Sequence, residues 1–281
     1  MYNSYLVTKL ACATIAGVRA LTLAFALSLA LPPAAHAAEP KDPLERARLL
    51  YNQRQYERAV TAAEEARRVP ERADSADLIA ARAYLEQYRE TAAAEDLANA
   101  RDRLRRISTQ RFVPTERMEF IVGLGETLYF DDAAGAAAAL FDSVLAAREN
   151  LLGDARERVL DWWASAVDRD ARPRTEIERQ GLYQKVRERM ASELAMNPAS
   201  AAAAYWAAAA ARGQGDLQAA WDAAQAGWVR APLTADQGAT LRGDLDNLVQ
   251  RAIIPERARV AAQSADTLRT EWERFKQRWE R

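Results

Sequence analysis

In RARLLYNQRQYERAVTAAEEARRVP, residues 46–70, two helical patterns flank a short polar turn, and the arrangement returns further along the chain. Leu50 closes the first pattern, and Tyr56, Ala59, Ala63 and Ala66 lie on one face of the second at spacings of three and four. Moving on by 34 residues without a gap, Ala80, Ala81, Tyr84, Ala93, Leu97 and Ala100 take the places of Arg46, Ala47, Leu50, Ala59, Ala63 and Ala66. A third copy, FIVGLGETLYFDDAAGAAAALFDSVL, has Leu124, Gly125 and Leu128 before a turn at Asp131 and Asp132, and Ala137, Phe141 and Val144 after it. Residues 204–232 make another, with Ala207, Ala208 and Ala211, a turn at Gly215 and Asp216, then Leu217, Ala220, Ala224, Gly227 and Pro232. One helical hairpin cannot bury its apolar face alone, so copies of this kind are expected to stack and share a core. Small residues let the paired helices approach, glycine makes the turn, and proline ends the second helix.

Composition narrows the class to all-α. Gly (11) and Pro (10) are sparse, while Ala, Leu, Glu, Gln and Arg, which lose least on entering a helix, abound. The nearest strand-like runs, RFVPT and AIIPE, are each cut by a proline. With 49% hydrophobic and 28% charged residues the chain can bury a sizeable core.

The repeat spacing resembles the tetratricopeptide repeat, a helix-turn-helix unit of 34 residues, over most of residues 41–232. The small positions of that family are met at Ala47, Ala59, Ala81, Ala93, Gly125, Ala137, Ala208 and Ala220, and its large aromatic at Tyr56 and, less closely, at Leu217. The chain departs from the pattern in lacking the first-helix tryptophan, in keeping the terminal proline clearly only at Pro198 and Pro232, and in having Glu90 where an aromatic is expected. The resemblance implies a right-handed solenoid of about five hairpins over residues 38–232. Its first helices would line a concave groove for an extended peptide or a partner helix. Transferred by position, the groove residues are Arg48, Tyr51 and Asn52 in the first unit, Arg82 in the second, Glu126 and Tyr129 in the third, and Tyr205 and Arg212 in the last aligned unit. Tyrosine offers a flat apolar face with one hydroxyl, and arginine a fork suited to carboxylates.

Two stretches break the period. RRISTQRFVPTER adds a loop or lengthens a helix before the third unit, and DRDARPRTE is expected to intrude as a polar loop within a fourth unit, after a first helix with Trp163 and Val167 inward. Of the adjacent Trp162 and Trp163, one must be partly exposed or pack on the next repeat. Residues 233–281 are expected to cap the solenoid. TADQGATLRGDLDNLVQRAII reads as one helix, and a final helix from Pro255 carries Ala261, Ala265, Leu268, Trp272, Phe275 and Trp279 as an apolar seam. That seam covers the last repeat or, alternatively, docks a partner through Leu268, Trp272, Phe275 and Trp279.

Residues 1–37 read as a cleaved secretory signal peptide: Lys9 and Arg19 without an acid, the apolar run from Ala20 to Leu31, and small residues at Ala35 and Ala37. The apolar run is too short to span a bilayer. Its removal takes away Cys12 and His36, the only cysteine and histidine, and with them thiolate and histidine catalysis and the usual zinc ligands. No metal or cofactor is expected. Lys9 and Arg19 leave as well, which moves the formal net charge from −1 to −3, the wrong balance for a nucleic-acid binder. The expected protein is a bacterial-type periplasmic, non-catalytic scaffold for a protein or peptide of the cell envelope, with no membrane span in the mature chain. The alternatives are a cell-wall glycan binder that uses its tryptophans, or an enzyme that uses paired carboxylates such as Asp131 and Asp132 or Glu64 and Glu65.

Overall fold

The structure, a computed structural model, describes residues 40–147, 151 and 153–279, and among these every regular element is helical. The signal-peptide reading of residues 1–37 lies outside the described residues. No helix among them is long and apolar enough to cross a membrane.

The helices come in pairs: α1 (Pro43–Asn52) with α2 (Tyr56–Arg67), α3 (Ala73–Thr91) with α4 (Ala94–Arg106), α5 (Pro114–Phe130) with α6 (Ala134–Ala146), α7 (Asp154–Ala171) with α8 (Glu176–Met196), and α9 (Ala201–Gly213) with α10 (Leu217–Arg230). Local chemistry starts several of them. Asp42 accepts from the Leu44 amide ahead of Pro43, Ser200 from Ala203, and Asp216 from Ala219, while Thr175 and Glu178 form a reciprocal capping box.

Three of the hairpin turns are the same turn. Arg54, Asp132 and Gly215 each have positive φ (60°, 61° and 79°) at the middle of a three-residue link. The residue after each donates its amide to a carbonyl five residues back: Gln55 to Leu50 at 2.9 Å, Ala133 to Leu128 at 2.9 Å, and Asp216 to Ala211 at 3.0 Å. This is the Schellman closure, which satisfies the last carbonyls of the first helix and reverses the chain. Only the α9–α10 turn fills the left-handed position with glycine.

The second pair departs from the gapless 34-residue register. α3 runs on to Thr91 and closes at Ala92, whose φ is 56°, so α4 starts late. Ala93 therefore becomes the exposed residue before α4, and Leu97 rather than Ala93 occupies the fourth helical position that Ala59, Ala137 and Ala220 hold in the other pairs. The linker to the third pair is a short turn held by buried Phe112, packed edge-on to Phe120, and by a hydrogen bond from the Ser108 amide to Asp74 at 2.8 Å.

The polar loop expected across DRDARPRTE shrinks to four residues, 172–175. Asp168 with Arg172 and Asp170 with Arg174 form ion pairs one turn apart, which carry α7 through most of the polar stretch. Trp163 and Val167 are buried, as the helical spacing requires, and Trp162 is left partly exposed.

The C-terminal segment is a further pair, with its break elsewhere than expected. α11 (Ala239–Leu248) continues through a π-turn over Val249–Ile253 into α12 (Ile254–Ala261), so Pro255 lies inside a helix that widens just before it. Ala262, with φ of 49°, ends this helix and α13 (Ala265–Trp279) follows. Leu268, Trp272 and Phe275 are buried against α10 and α11, while Ala261 faces solvent and Trp279 is 48% exposed. The seam is thus occupied within the chain, which leaves only Trp279 of its four large residues open to a partner.

Packing is sequential. Each helix packs on its hairpin partner, and the first helices also form an unbroken row: α1 on α3, α3 on α5, α5 on α7, α7 on α9, α9 on α11. Ion pairs tie adjacent helices together, as where buried Asp77 of α3 accepts from Arg67 of α2, in the preceding pair, at 3.2 Å and from Arg103 of α4, its own partner, at 2.9 Å. Close approach within a pair depends on small residues. A Cβ on Gly125 would come within 2.6 Å of the fully buried Phe141 ring, whereas one on Gly181, also mid-helix, would meet nothing within 4 Å. Alanine favours a helix over glycine by about 1 kcal/mol, while overpacking costs about 1–3 kcal/mol. Gly181→Ala is therefore expected to raise the urea midpoint and Gly125→Ala to lower it. A rise in both would show that the α5–α6 contact is loose.

Candidate functional site

On the row of first helices, a pocket of about 150 Å³ opens between α1, α3, α5 and α7. Apart from Leu151, every residue that lines it comes from these four helices, and none from a second helix. Tyr51 enters from the last turn of α1; Arg82, Glu86 and Arg89 enter from α3 at spacings of four and three, which place them on one helix face. Glu119 and Glu126 come from α5, seven residues apart, and Arg158 and Trp162 from α7, four apart. Met118, Val122 and Gly123 form its apolar floor.

The charges are mostly committed to one another. Arg82 pairs with Glu119 at 2.8 Å and lies 4.4 Å over the Tyr51 ring. Arg89 pairs with Glu86 at 2.9 Å and lies 5.2 Å from the Trp162 ring centre. The Tyr51 hydroxyl points to Glu86 at 3.5 Å, and burial pushes it up to about 12, so it stays a neutral hydrogen-bonding group. Two groups stand apart. Exposed Arg158 has no ion pair among the described residues, and Glu126 accepts no hydrogen bond from any of them. Burial raises the Glu126 carboxyl to about 7, helped by the negative charge of Glu86 and opposed by Arg89, Arg82 and Arg158. Near neutral pH it is poised between acid and carboxylate.

Tyr51, Arg82 and Glu126, three of the residues placed on the groove by repeat position, therefore meet in one pocket. Arg48 lies beside it, tied to buried Glu116 of α5 at 2.6 Å. Asn52 is exposed and outside the lining. Tyr129 sits one turn beyond Glu126, hydrogen-bonded to Ser165 at 2.8 Å and packed edge-on against Trp162 at 4.9 Å. Tyr205 and Arg212 lie further along the row. Burial pushes Tyr205 up to about 12, and the Arg212 guanidinium is held by both oxygens of Glu256 at 2.6–3.1 Å, which spends its fork inside the chain.

Glu86, Arg89, Glu119 and Arg158 escaped the sequence reading, although a signal existed. Each lies four or seven residues from another member of the lining on its own helix, so extending Arg82, Glu126 and Trp162 by whole turns finds them. A larger hollow of about 590 Å³ lies between the start of α7, the end of α8 and the segment before α11, but its buried Glu193 already binds Arg156 through Nε at 3.1 Å. The convergence of unpaired charge is in the smaller pocket. Compared with protein-family models, with curated proteins and with solved structures, this chain matches none.

Proposed function

We propose that residues 38–281 form a right-handed, tetratricopeptide-like solenoid whose first helices line a concave groove, and that the protein is a non-catalytic scaffold of the cell envelope holding an extended peptide there. One observation supports this above the others: the first helices make a continuous row, and that row supplies every residue but Leu151 of the pocket with the unpaired Glu126 and Arg158. Four successive helices supply it, so a ligand bound there is read by several repeats at once. An envelope location follows from the reading of residues 1–37 as a signal peptide. A carboxylate-dependent enzyme draws on the same Glu126, since a carboxylic acid at neutral pH is a general acid. The glycan reading is less well served, because the rings of Tyr51 and Trp162 already carry guanidinium groups.

A random peptide display library panned on residues 38–281 tests the reading. Peptides that share a sequence feature are expected, and each should bind Arg82→Ala and Glu126→Ala at least about tenfold more weakly, a loss of about 1.4 kcal/mol. Circular dichroism must show both variants folded. No enrichment, or peptides that bind the variants and the wild type alike, would sink the groove assignment.

A further inference from the structure

The pocket's charges balance in number, but one pair is not formed. Three guanidinium groups and three carboxylates line it, yet the pairs formed are Arg82 with Glu119 and Arg89 with Glu86, which leaves Arg158 at the rim and Glu126 within. Glu126 is faced from α1 by Tyr51, from α3 by Arg82, Glu86 and Arg89, from its own α5 by Glu119, and from α7 by Arg158. Neither α4 nor α6, on the other side of α5, puts a charged group into the lining. An incoming cation would meet the unpaired Arg158 guanidinium on its way to Glu126. An incoming carboxylate would meet an unpaired guanidinium at the rim and, at the wall, a second carboxyl group. Two carboxyl groups side by side share one proton, because both cannot remain charged at hydrogen-bonding distance.

We propose that Glu126 receives its ligand as a carboxylic acid, donating a hydrogen bond to a ligand carboxylate whose charge the unpaired Arg158 neutralises, so that binding takes up a proton. The proposal rests on the groove reading for the source of the carboxylate, which is a peptide C-terminus or acidic side chain, and it holds equally for a small free organic acid. The proton balance is simple. Where Glu126 is already protonated, binding moves no proton; where it is ionised, one proton leaves the buffer for the Glu126 carboxylate oxygen as the ligand carboxylate arrives. The sign follows. Free Glu126 titrates at about 7, so affinity is level on the acid side and falls about tenfold per pH unit above that value. The ligand keeps its own charge down to about pH 4.

The test uses benzoate and benzamide as small probes, and an acetylated tripeptide as free acid and as C-terminal amide, titrated into residues 38–281 between pH 5.5 and 8.5. Calorimetry in buffers of different ionisation enthalpy counts the protons. The expected result is binding of the acids and not the amides, uptake approaching one proton at pH 8, and an affinity at pH 8.5 more than tenfold below that at pH 6. Glu126→Gln, whose amide still donates but does not titrate, should bind without pH dependence and without proton uptake. Binding by benzoate but not the peptide acid identifies a small-acid site, and the reverse a peptide-end site; both support the proton-linked carboxylate. Affinity that rises with pH, proton release, or wild-type binding without pH dependence overturns it. So does failure of every acid probe at pH 6. If display-selected peptides still bind in that case, the groove reading stands without this one; if the acids bind with proton uptake while no peptide is enriched, the groove reading fails and the carboxylate site remains.

Discussion

Replacing Trp272 with alanine is expected to cost the folded chain about 3–5 kcal/mol, the range for deleting a buried indole or phenyl ring. Trp272 is fully buried, with ring centroids 5.7 Å from Trp221, 5.6 Å from Trp228 and 5.6 Å from Phe275. Its indole N–H donates to Asp246 of α11 at 2.8 Å, and Lys276 donates to the same carboxylate oxygen at 2.8 Å. The substitution opens a cavity among three other aromatic rings and removes one of the two donors to Asp246, so transfer, cavity and hydrogen-bond losses add. The effect should be largest at the C-terminal end, because repeats lend stability chiefly to their neighbours. Hydrogen exchange is expected to speed up first in α10, α11 and α13. Urea unfolding of Trp272→Ala beside Trp279→Ala provides the check: Trp279 is half exposed, and its loss should cost well under half as much. A loss below about 1 kcal/mol at Trp272 would mean that α13 is not seated on α10, and would reopen the seam as a docking surface.

The second large effect lies in the pH dependence of Glu126. Its carboxyl is raised to about 7 in the folded chain by burial and by Glu86, against the pull of Arg89, Arg82 and Arg158. A carboxyl raised on folding favours the protonated native state, so its contribution is fully present below the unfolded value near 4.5 and is lost as pH rises through about 7. Glutamine is neutral throughout and has nearly the same shape. Glu126→Gln should therefore match the wild type at pH 4.5 and exceed it by about 2–3 kcal/mol at pH 8, after allowance for the exposure Glu126 keeps toward the pocket. Denaturant midpoints of both proteins at four or five pH values measure this directly. A constant difference across the range would mean that Glu126 ionises like a surface carboxylate and that the pocket is wetter than its lining implies. The trade of native stability for an unpaired acid at neutral pH is what a binding residue shows, in contrast to a structural one.

Much of the hairpin architecture was readable in advance. Ala47, Gly125 and Ala208 stand nine residues ahead of the second helix in their pairs, and the polar turns at QRQ, at Asp131 and Asp132 and at Gly215 and Asp216 fall between paired helices. Where the reading slipped, a helix length was at stake. Ala93 stands 34 residues after Ala59, but α3 runs on to Thr91 and displaces it from the helix that follows. The polar stretch after Val167 stayed helical because Asp168 and Asp170 found arginines one turn away, and the helix through Pro255 ran on by widening into a π-turn. Propensity is flat at such places, so small differences in local pairing decide where a helix ends.

By itself the sequence determined the secondary structure class, the pairing of neighbouring helices and which residues share a helix face, because these depend on contacts within about one turn or one hairpin. Only the tertiary structure decided that Arg82 spends its charge on Glu119 and Arg212 on Glu256, and that Glu126 is left with none. Those outcomes depend on distances between side chains 37 and 44 positions apart. Such distances are set by how far each helix runs and how each pair stacks on the last, and no local spacing encodes them.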